Sequence, residues 1–303
     1  MGAQLRAVRR RIGTVKSTAK ITRAQELIAS SRIVKAQQRV QAAGPYAREI
    51  TDAVEAVVSR SSNVQHPLTT EPEQSTRSAV LILTSDRGFC GGFNASVLRE
   101  AQGLAALLAE RGTEAVRYVS GRKGIVWHRF RELPLAAEWS GFSDTPAHAN
   151  ASEITAALLE AFARPASEGG VDEIHLVHTE FISMLTQRPV IRRLLPLEIT
   201  ETEEERPAGP IAIYEFEPSP ELVLDALLPW YVESRIYHAL LDSAAAEIAA
   251  RRRAMKSATD NANDLLEALT REANKARQAE ITQEISEIVG GANALAESIS
   301  GSK

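Results

Sequence analysis

The chain has 303 residues, of which 44% are hydrophobic, 24% charged and only 5% aromatic, an ordinary composition for one or two soluble domains. Few aromatic rings and abundant helix formers favour long helices over a compact globule. The single cysteine, Cys90, excludes an intrachain disulfide, and the sequence lacks the run of about 18 apolar residues that a membrane-spanning helix needs.

The net charge of −4 is unevenly distributed along the chain. Residues 1–48 hold eleven lysines and arginines against one acid, Glu26, which gives +10 and leaves −14 for the remainder. A basic segment on an acidic body predicts an acidic partner for that segment, although a solvated helix face produces the same pattern.

The first predicted element is a helix from about residue 3 to 60, with a kink expected at Gly44–Pro45. Mostly apolar residues recur in it at the 3.5-residue spacing of a coiled coil. They form two rows: Leu5, Ile12, Ala19, Glu26, Ile33 and Val40, and Val8, Val15, Thr22, Ala29, Ala36 and Ala43.

Residues 76–216 predict a Rossmann-like α/β domain with a partly parallel sheet, because short apolar runs alternate with helical patterns. Helices are predicted at about 94–111 and 151–163. Strands are predicted at about 77–84, 115–120, 173–178, 189–195 and 211–216.

The last helix is predicted from about Pro220 to residue 289, since no glycine occurs between Gly209 and Gly290. Its register is predicted to shift near its end, where Ile281, Ile285 and Ile288 become the contact residues. Before that shift, two coiled-coil rows are present: Ile248, Met255, Ala262, Leu269 and Ala276, and Ala245, Arg252, Thr259, Leu266 and Ala273.

The fold class is therefore α/β: a long antiparallel coiled coil of the N- and C-terminal helices, with a Rossmann-like domain inserted between them. The predicted domains are an N-terminal shaft helix at 1–60, an α/β foot domain at 76–216 and a C-terminal shaft helix at 217–303.

The segment Thr84–Asn94 follows the first strand and opens a helix, where many α/β proteins bind a phosphate. It contains neither Gly-x-Gly-x-x-Gly nor the Gly-Lys-Ser/Thr of a P-loop, and Asp86 would repel phosphate. The competing interpretation is a structural turn, in which the glycines at 88, 91 and 92 supply unusual backbone angles and Asp86 caps a helix or pairs with Arg87. Cys90 is interpreted as a buried thiol, although a helix N-terminus beside it could lower its pKa.

No other metal-binding or nucleic-acid-binding pattern stands out. The basic residues near Arg251–Arg253 lack the interleaved aromatic rings of single-strand binders, so no nucleic-acid partner is expected. His175 and His178, three apart on a strand, are predicted to face opposite sides. None of the histidines forms a paired metal-ligand motif: His66, His128, His148, His175, His178 and His238.

Four segments, taken in chain order, resemble signature segments of one protein family: Lys20–Ser31, Thr84–Asn94, Ala254–Asn261 and Asn274–Gly291. The first resembles an N-terminal shaft signature, the second a Thr-Asp-Arg-Gly-Leu-Cys-Gly-Gly-Leu-Asn loop, and the last two a pair of C-terminal blocks. The family that they resemble is the gamma subunit of F-type ATP synthases, including bacterial members of the actinobacterial kind. The resemblance covers nearly the whole chain in the right order.

The resemblance implies a central rotor stalk that couples proton or ion flow through a ring of c subunits to ATP synthesis. One copy would stand inside three alpha and three beta subunits, with the epsilon subunit and the c ring at its foot. Such a chain would carry no catalytic residue, cofactor or metal ion, and it would lie at the cytoplasmic face of the plasma membrane only through the complex.

The resemblance also implies contact residues. Those facing the beta subunits are Arg277, Gln278, Thr282, Glu284, Lys20 and Arg23. Those at the foot, facing the c ring and epsilon, are Tyr214, Phe216 and Glu217. Two alternatives remain: a coiled-coil scaffold with an inert α/β head, and a nucleotide-binding enzyme that uses the Thr84–Asn94 loop.

Overall fold

A computed structural model of the chain describes residues 2–60, 75–197, 217 and 219–300. Two helices dominate it, α1 (Gly2–Arg60) and α5 (Pro220–Ser300). The chain divides into two compact units: a smaller one of Met1–Ile28 with Ala254–Lys303, and a larger one of Ala29–Arg253. Both long helices contribute to both units.

The larger unit contains a five-stranded sheet covered by helices α2 (Phe93–Glu110), α3 (Arg122–Phe130) and α4 (His148–Ala163), with a short 3-10 turn at Ala166–Glu168. The strands lie in the order β3-β2-β1-β4-β5, and all neighbours are parallel except the antiparallel pair β4–β5. Their bounds are β1 (Arg77–Leu83), β2 (Glu114–Ser120), β3 (Ala137–Trp139), β4 (Glu173–Phe181) and β5 (Gln187–Leu195).

Strand β1 is buried on both faces, as expected of a central parallel strand, and this explains its continuous apolar run. Alternate side chains point to opposite sides of the sheet. Leu81 and Leu83 pack with α4 and with residues 232–240 of α5, whereas Val80 and Ile82 pack with α2 and α3. The sheet therefore holds two separate apolar layers, one on each face.

The predicted Rossmann-like sheet is confirmed, with helix and strand ends within a few residues of the prediction. Helix α3 and the short strand β3 were missed, because nine and three residues give little periodic signal. Strand β3 fills the edge beside β2, a position that the sequence analysis left empty. The strand predicted at 211–216 lies outside the described residues, as do the connector residues 61–74 and 200–210.

In the larger unit, α1 and α5 pack antiparallel through small and apolar side chains. Arg252 Nε donates to Ser30 Oγ at 2.9 Å, and Ala29, Ile33 and Ala36 pack with Ala245, Ile248 and Ala249. Further along α1, Val54 and Val57 meet Leu224 and Leu228 near the start of α5. Helix α1 continues through Gly44 and Pro45, where a kink was predicted.

In the smaller unit, the buried residues fall on the predicted heptad rows. Leu5, Val8 and Ala19 of α1 are buried, as are Ala262 and Leu269 of α5. At the polar positions, Thr259 Oγ1 donates to Thr22 Oγ1 at 2.8 Å. Buried Glu26 accepts from Arg23 Nη1 at 2.9 Å, so the two polar interruptions of the heptad pattern have partners inside the unit.

Two predictions for the end of α5 are wrong. The helix continues through Gly290 and Gly291 to Ser300, because the alanines that follow offset the roughly 1 kcal/mol cost of each helical glycine. Ile281, Ile285 and Ile288 are exposed and do not continue the buried rows. Thr22 lies opposite Thr259, and the two helices run antiparallel, so Gly2 lies opposite about Ala279. The residues of α5 after Ala279 therefore have no described residue of α1 opposite them.

The junction between β2 and α3 depends on one glycine. Gly121 has φ +102°, and a Cβ at this position would lie 2.1 Å from the carbonyl oxygen of Thr84. This close approach lets Thr84 Oγ1 receive the Gly124 N–H at 2.9 Å while Thr84 N donates to Ser120 O at 2.7 Å. The ends of β1 and β2 are thus fixed to the start of α3.

We expect Gly121→Ala to lower the free energy of unfolding by roughly 1–3 kcal/mol from backbone strain, with a further loss from the clash with Thr84. Gly103→Ala is the matched control, because nothing lies within 4 Å of its Cβ position and it sits inside α2. That change should stabilise by about 0.5–1 kcal/mol. Urea unfolding of the full chain measures both, and equal effects would contradict this account.

Candidate partner-binding surfaces

The Thr84–Asn94 loop connects β1 to α2, and its Asp86 binds backbone N–H groups of neighbouring segments. Oδ1 accepts from Arg122 N at 3.0 Å, at the first turn of α3, and Oδ2 accepts from Gly141 N at 2.8 Å and Ser143 N at 3.0 Å. A helix start attracts anions. At α3 that place is taken by the chain's own carboxylate, so Asp86 acts as a structural joint between the loop, α3 and the segment at Gly141–Ser143.

Parts of the structural-turn interpretation need correction. Asp86 caps α3 rather than the helix that the loop opens, because Gly92 precedes α2 without a side-chain cap. Arg87 pairs with Asp144 at 3.7 Å instead of Asp86. Among the loop residues, positive φ angles occur at Gly91 (58°) and Phe89 (61°), and not at all three glycines.

Cys90 is a buried thiol held by its neighbours, as the sequence analysis expected. It is 3% exposed and packs with Phe93, Ala246 and Ala250. Asn94 Nδ2 lies 3.3 Å from its sulfur. Burial raises the pKa of the Cys90 thiol above 9.0, so the proposed lowering by a helix N-terminus is wrong and the group is a poor nucleophile at neutral pH.

Arg251 of α5 joins this loop to the helix. Its Nε donates to Gly88 O at 3.2 Å and its Nη2 to Arg87 O at 3.3 Å. The same Nη2 binds Glu247 Oε1 at 2.6 Å, and that carboxylate is almost fully buried. Desolvation raises the pKa of Glu247, while Arg251 opposes that rise. The loop is therefore a fixed part of the larger unit.

The histidines have local partners of several kinds. His175 pairs with Glu173 at 3.0 Å, and His128 Nδ1 lies 2.8 Å from Gly124 O. Within the residues that the structure describes, no group of three or more histidine, cysteine, aspartate or glutamate side chains could hold a metal ion.

The basic residues of 1–48 are all solvent-exposed on α1. Within the described residues, two of them have acidic partners: Arg23 binds Glu26 at 2.9 Å, and Arg32 binds Asp144 at 3.0 Å. Lys20, predicted to meet a beta subunit, is exposed, whereas Arg23 is already engaged with the buried Glu26. The surface remains strongly cationic, as an acidic partner would require.

The end of α5 carries an exposed apolar stripe, Ile281, Ile285, Ile288 and Val289. At about 100° of rotation per residue these side chains share one face of the helix. The heptad positions that would extend the buried rows past Ala276 hold Gln283 and Gly290, so the stripe faces another direction. An exposed stripe of this kind indicates a partner surface.

The four residues predicted to contact a beta subunit on α5 border this stripe. Arg277 and Glu284 lie on one side of it and Gln278 and Thr282 on the other, as the helical rotation requires. All four are exposed. An apolar centre with a polar rim is the arrangement typical of protein–protein interfaces.

The sequence analysis missed a second exposed apolar group, Ile21, Leu27 and Ile28 of α1. These residues lie outside the two heptad rows, and large apolar side chains outside the rows of a coiled coil were the available signal. They lie between Lys20 and Arg32 on the same helix as the cationic residues.

Most of the predicted foot residues lie outside the part of the chain that the structure describes. Tyr214 and Phe216 lie outside the described residues, and Glu217 is exposed. Of the helices described, none combines the length and apolar character needed to cross a bilayer.

Comparison with known proteins gives one consistent result. The family model described as ATP synthase matches residues 4–295. An ATP synthase gamma chain of Acidothermus cellulolyticus is 61% identical, over 97% of this chain and 98% of the relative. One of Thermobifida fusca is 58% identical over the full length of both.

Solved structures agree on the fold. A chain from the rotor of the Euglena gracilis mitochondrial ATP synthase superposes with a TM-score of 0.65 at 15% identity, covering 93% of this chain and all of that one. A chain from the OSCP/F1/c-ring part of the same enzyme gives 0.68 at 16% identity, covering 97% and 95%. With the full-length identity of the curated relatives, these findings show that the chain belongs to the ATP synthase gamma chain family.

Proposed function

We propose that this chain is the central rotor shaft of an F-type ATP synthase, coupling ion flow through a c ring to ATP synthesis at the alpha/beta catalytic sites. The observation that carries the proposal is identity of about 60% to ATP synthase gamma chains over nearly the whole of both sequences. The fold of a chain from an ATP synthase rotor, which matches 93% of this chain and all of that one, supports it.

The proposed complex has one copy of this chain inside three alpha and three beta subunits, with epsilon and the c ring at the foot. The chain contributes contacts and no catalytic group, and it lies at the cytoplasmic face of the plasma membrane through its partners. Tyr214, Phe216 and Glu217 are the proposed foot contacts.

The mechanism follows from a difference in symmetry. Two helices and one α/β unit have no threefold axis, so a shaft of this kind presents a different surface to each of three beta subunits. To shift the populations of the two states of a catalytic site from 1:99 to 99:1, the shaft must bind one state more favourably than the other by about 5.5 kcal/mol. Rotation would then change which site is open.

Two surfaces fit that task. The stripe of Ile281, Ile285 and Ile288 would be covered by an apolar part of the surrounding ring, with Arg277 and Thr282 in the polar rim. The cationic face of α1 would meet acidic side chains, and truncating one member of a buried charge pair costs roughly 2–5 kcal/mol. A few such contacts are enough to supply the difference of about 5.5 kcal/mol in binding free energy between the two states.

Reconstitution with the alpha and beta subunits tests the assignment. A cysteine introduced at exposed Glu110 of α2 can carry a bead, since Cys90 is buried and reacts poorly. One copy per six-subunit ring and rotation of the bead during ATP hydrolysis are expected. A folded chain that stays out of the ring and self-associates would favour the scaffold alternative instead.

Arg277→Ala should lower the rate of ATP synthesis about tenfold or more, equivalent to about 1.4 kcal/mol or more of lost coupling contact. The isolated variant should stay folded, because Arg277 is exposed. Arg271→Ala is the matched control: it removes an exposed arginine of α5 whose closest ion pair, with Glu267, is 3.9 Å long. A normal synthesis rate for Arg277→Ala would refute the role of Arg277.

Replacing Ile281, Ile285 and Ile288 by serine together should weaken binding to the alpha/beta ring and leave the smaller unit folded, because these side chains are exposed. The matched control replaces Gln283 and Glu287, which bond each other at 2.9 Å on the opposite side of α5. Binding measured by co-purification should fall for the first variant only. Equal retention of both variants would show that the stripe is not an interface.

A further inference from the structure

A cavity of about 190 Å³ lies inside the larger unit, on the face of the sheet that α2 and α3 cover. Strands β1 and β2 form its floor, at Val80, Ile82 and Ala115. None of the residues that line it belongs to the surfaces proposed for partner binding. The cavity therefore needs a separate account.

Small side chains leave this space open. Ala101 and Ala105 lie one turn apart on the face of α2 that lines the cavity, and Ala115 of β2 lines it as well. Leu98 and Leu133 complete an apolar wall. Close-packed interiors have few voids larger than a water molecule, and an apolar cavity of about 150 Å³ is large enough to bind benzene. The space at this site is therefore sufficient for a single six-membered ring.

His128 of α3 adds a hydrogen-bond acceptor to this mostly apolar wall, although the residue is only 2% exposed. Its Nδ1 lies 2.8 Å from Gly124 O, and because a carbonyl oxygen can only accept, Nδ1 carries the proton. Burial lowers the pKa of His128 from 6.5, so the ring is neutral at pH 7 and Nε2 is an acceptor. Among the described residues, no group donates a hydrogen bond to Nε2.

Arg117 of β2 lines the same cavity and supplies hydrogen-bond donors. Its Nη1 donates to Ala115 O at 3.4 Å, and the guanidinium carries further N–H groups that this long bond does not use. An acceptor and a donor in one wall suit a hydroxyl group, which donates one hydrogen bond and accepts another. A carboxylate could not donate to His128 Nε2, and an ammonium group could not accept from Arg117.

The ring of His128 is held in position by its neighbours. Trp127 contacts it edge-on, with ring centroids 4.7 Å apart, and the guanidinium carbon of Arg131 lies 4.0 Å from the centroid of Trp127. With the bond from Nδ1 to Gly124 O, these contacts restrict rotation of the imidazole. A ligand that bonds Nε2 would therefore cost little additional side-chain freedom.

We propose that this cavity is a binding site for a small ring-bearing hydroxyl compound of the phenol class. The ring of the ligand packs against Ala101 and Ala105 of α2, its hydroxyl donates to His128 Nε2, and the hydroxyl oxygen accepts from Arg117. A buried water molecule is the competing occupant, because it also donates and accepts. Water would leave the apolar wall without a contact, whereas a ring would cover it.

Ligand-observed NMR titration of the full chain with phenol, anisole and benzene tests the proposal. Phenol should bind saturably, with a dissociation constant on the order of 1 mM. Anisole should bind about tenfold more weakly, because its methoxy group cannot donate to His128 Nε2. Benzene, which is smaller than phenol and has no hydroxyl, should also bind about tenfold more weakly, so the loss does not come from the size of the methyl group.

Ala105→Leu tests the location of the site, because a larger side chain on α2 would fill the cavity and should abolish saturable binding of phenol. Ala106→Leu is the matched control: Ala106 is the next residue of the same helix, is exposed and does not line the cavity, so phenol should bind this variant as it binds the parent chain.

Absence of saturable phenol binding to the parent chain, as expected of a cavity that holds water only, would overturn the proposal. Equal affinities for phenol and anisole, or parental affinity for phenol in a folded Ala105→Leu variant, would overturn it as well. The comparison of phenol with anisole uses the parent chain, so it decides the question even where Ala105→Leu does not fold. No result of this experiment depends on the rotor assignment.

Discussion

The larger unit depends on one stretch of α5, residues 239–250, that is buried on every side. Alanine contributes to this, because small side chains let the helix approach several neighbours at close range. Ala239 lies against the sheet, Ala245 and Ala249 against α1, and Ala246 and Ala250 against the Thr84–Asn94 loop. A larger residue on any of these faces would separate two elements, so the composition of this stretch decides the whole assembly.

The parts of the fold that repeat could be predicted from the sequence, and the parts that rest on single contacts could not. Heptad spacing located Leu5, Ala19 and Leu269 in the buried rows, and the polar interruption at Thr22 has its partner in Thr259. Helix α3 begins where Asp86 caps it from a segment 36 positions earlier in the chain, and no local pattern encodes such a contact.

The candidate surfaces could be predicted only in part, because periodicity shows which residues share a helix face but not what covers that face. Periodicity shows that Ile281, Ile285 and Ile288 share a face, but it cannot tell whether that face is covered by the same chain or by another. The structure shows that the described part of the chain leaves this face exposed, with Arg277 and Thr282 beside it, which is why it is proposed as a contact with another chain. Resemblance also predicts Arg23 as a partner contact; its guanidinium pairs with Glu26 at 2.9 Å while its side chain stays 57% exposed, so the predicted contact remains a prediction.

The Thr84–Asn94 loop shows why a signature segment need not be a catalytic one. Thr84 bonds the ends of β2 and α3, Asp86 satisfies three backbone donors, and Asn94 returns to bond Ser85 N at 2.9 Å. Arg251 then ties the loop carbonyls to the buried Glu247 of α5. These side chains join the loop to the sheet and to α3, and Arg251 joins it to the long helix. A glycine-rich turn after a β-strand can therefore be constrained by the contacts through which it joins the sheet to neighbouring elements.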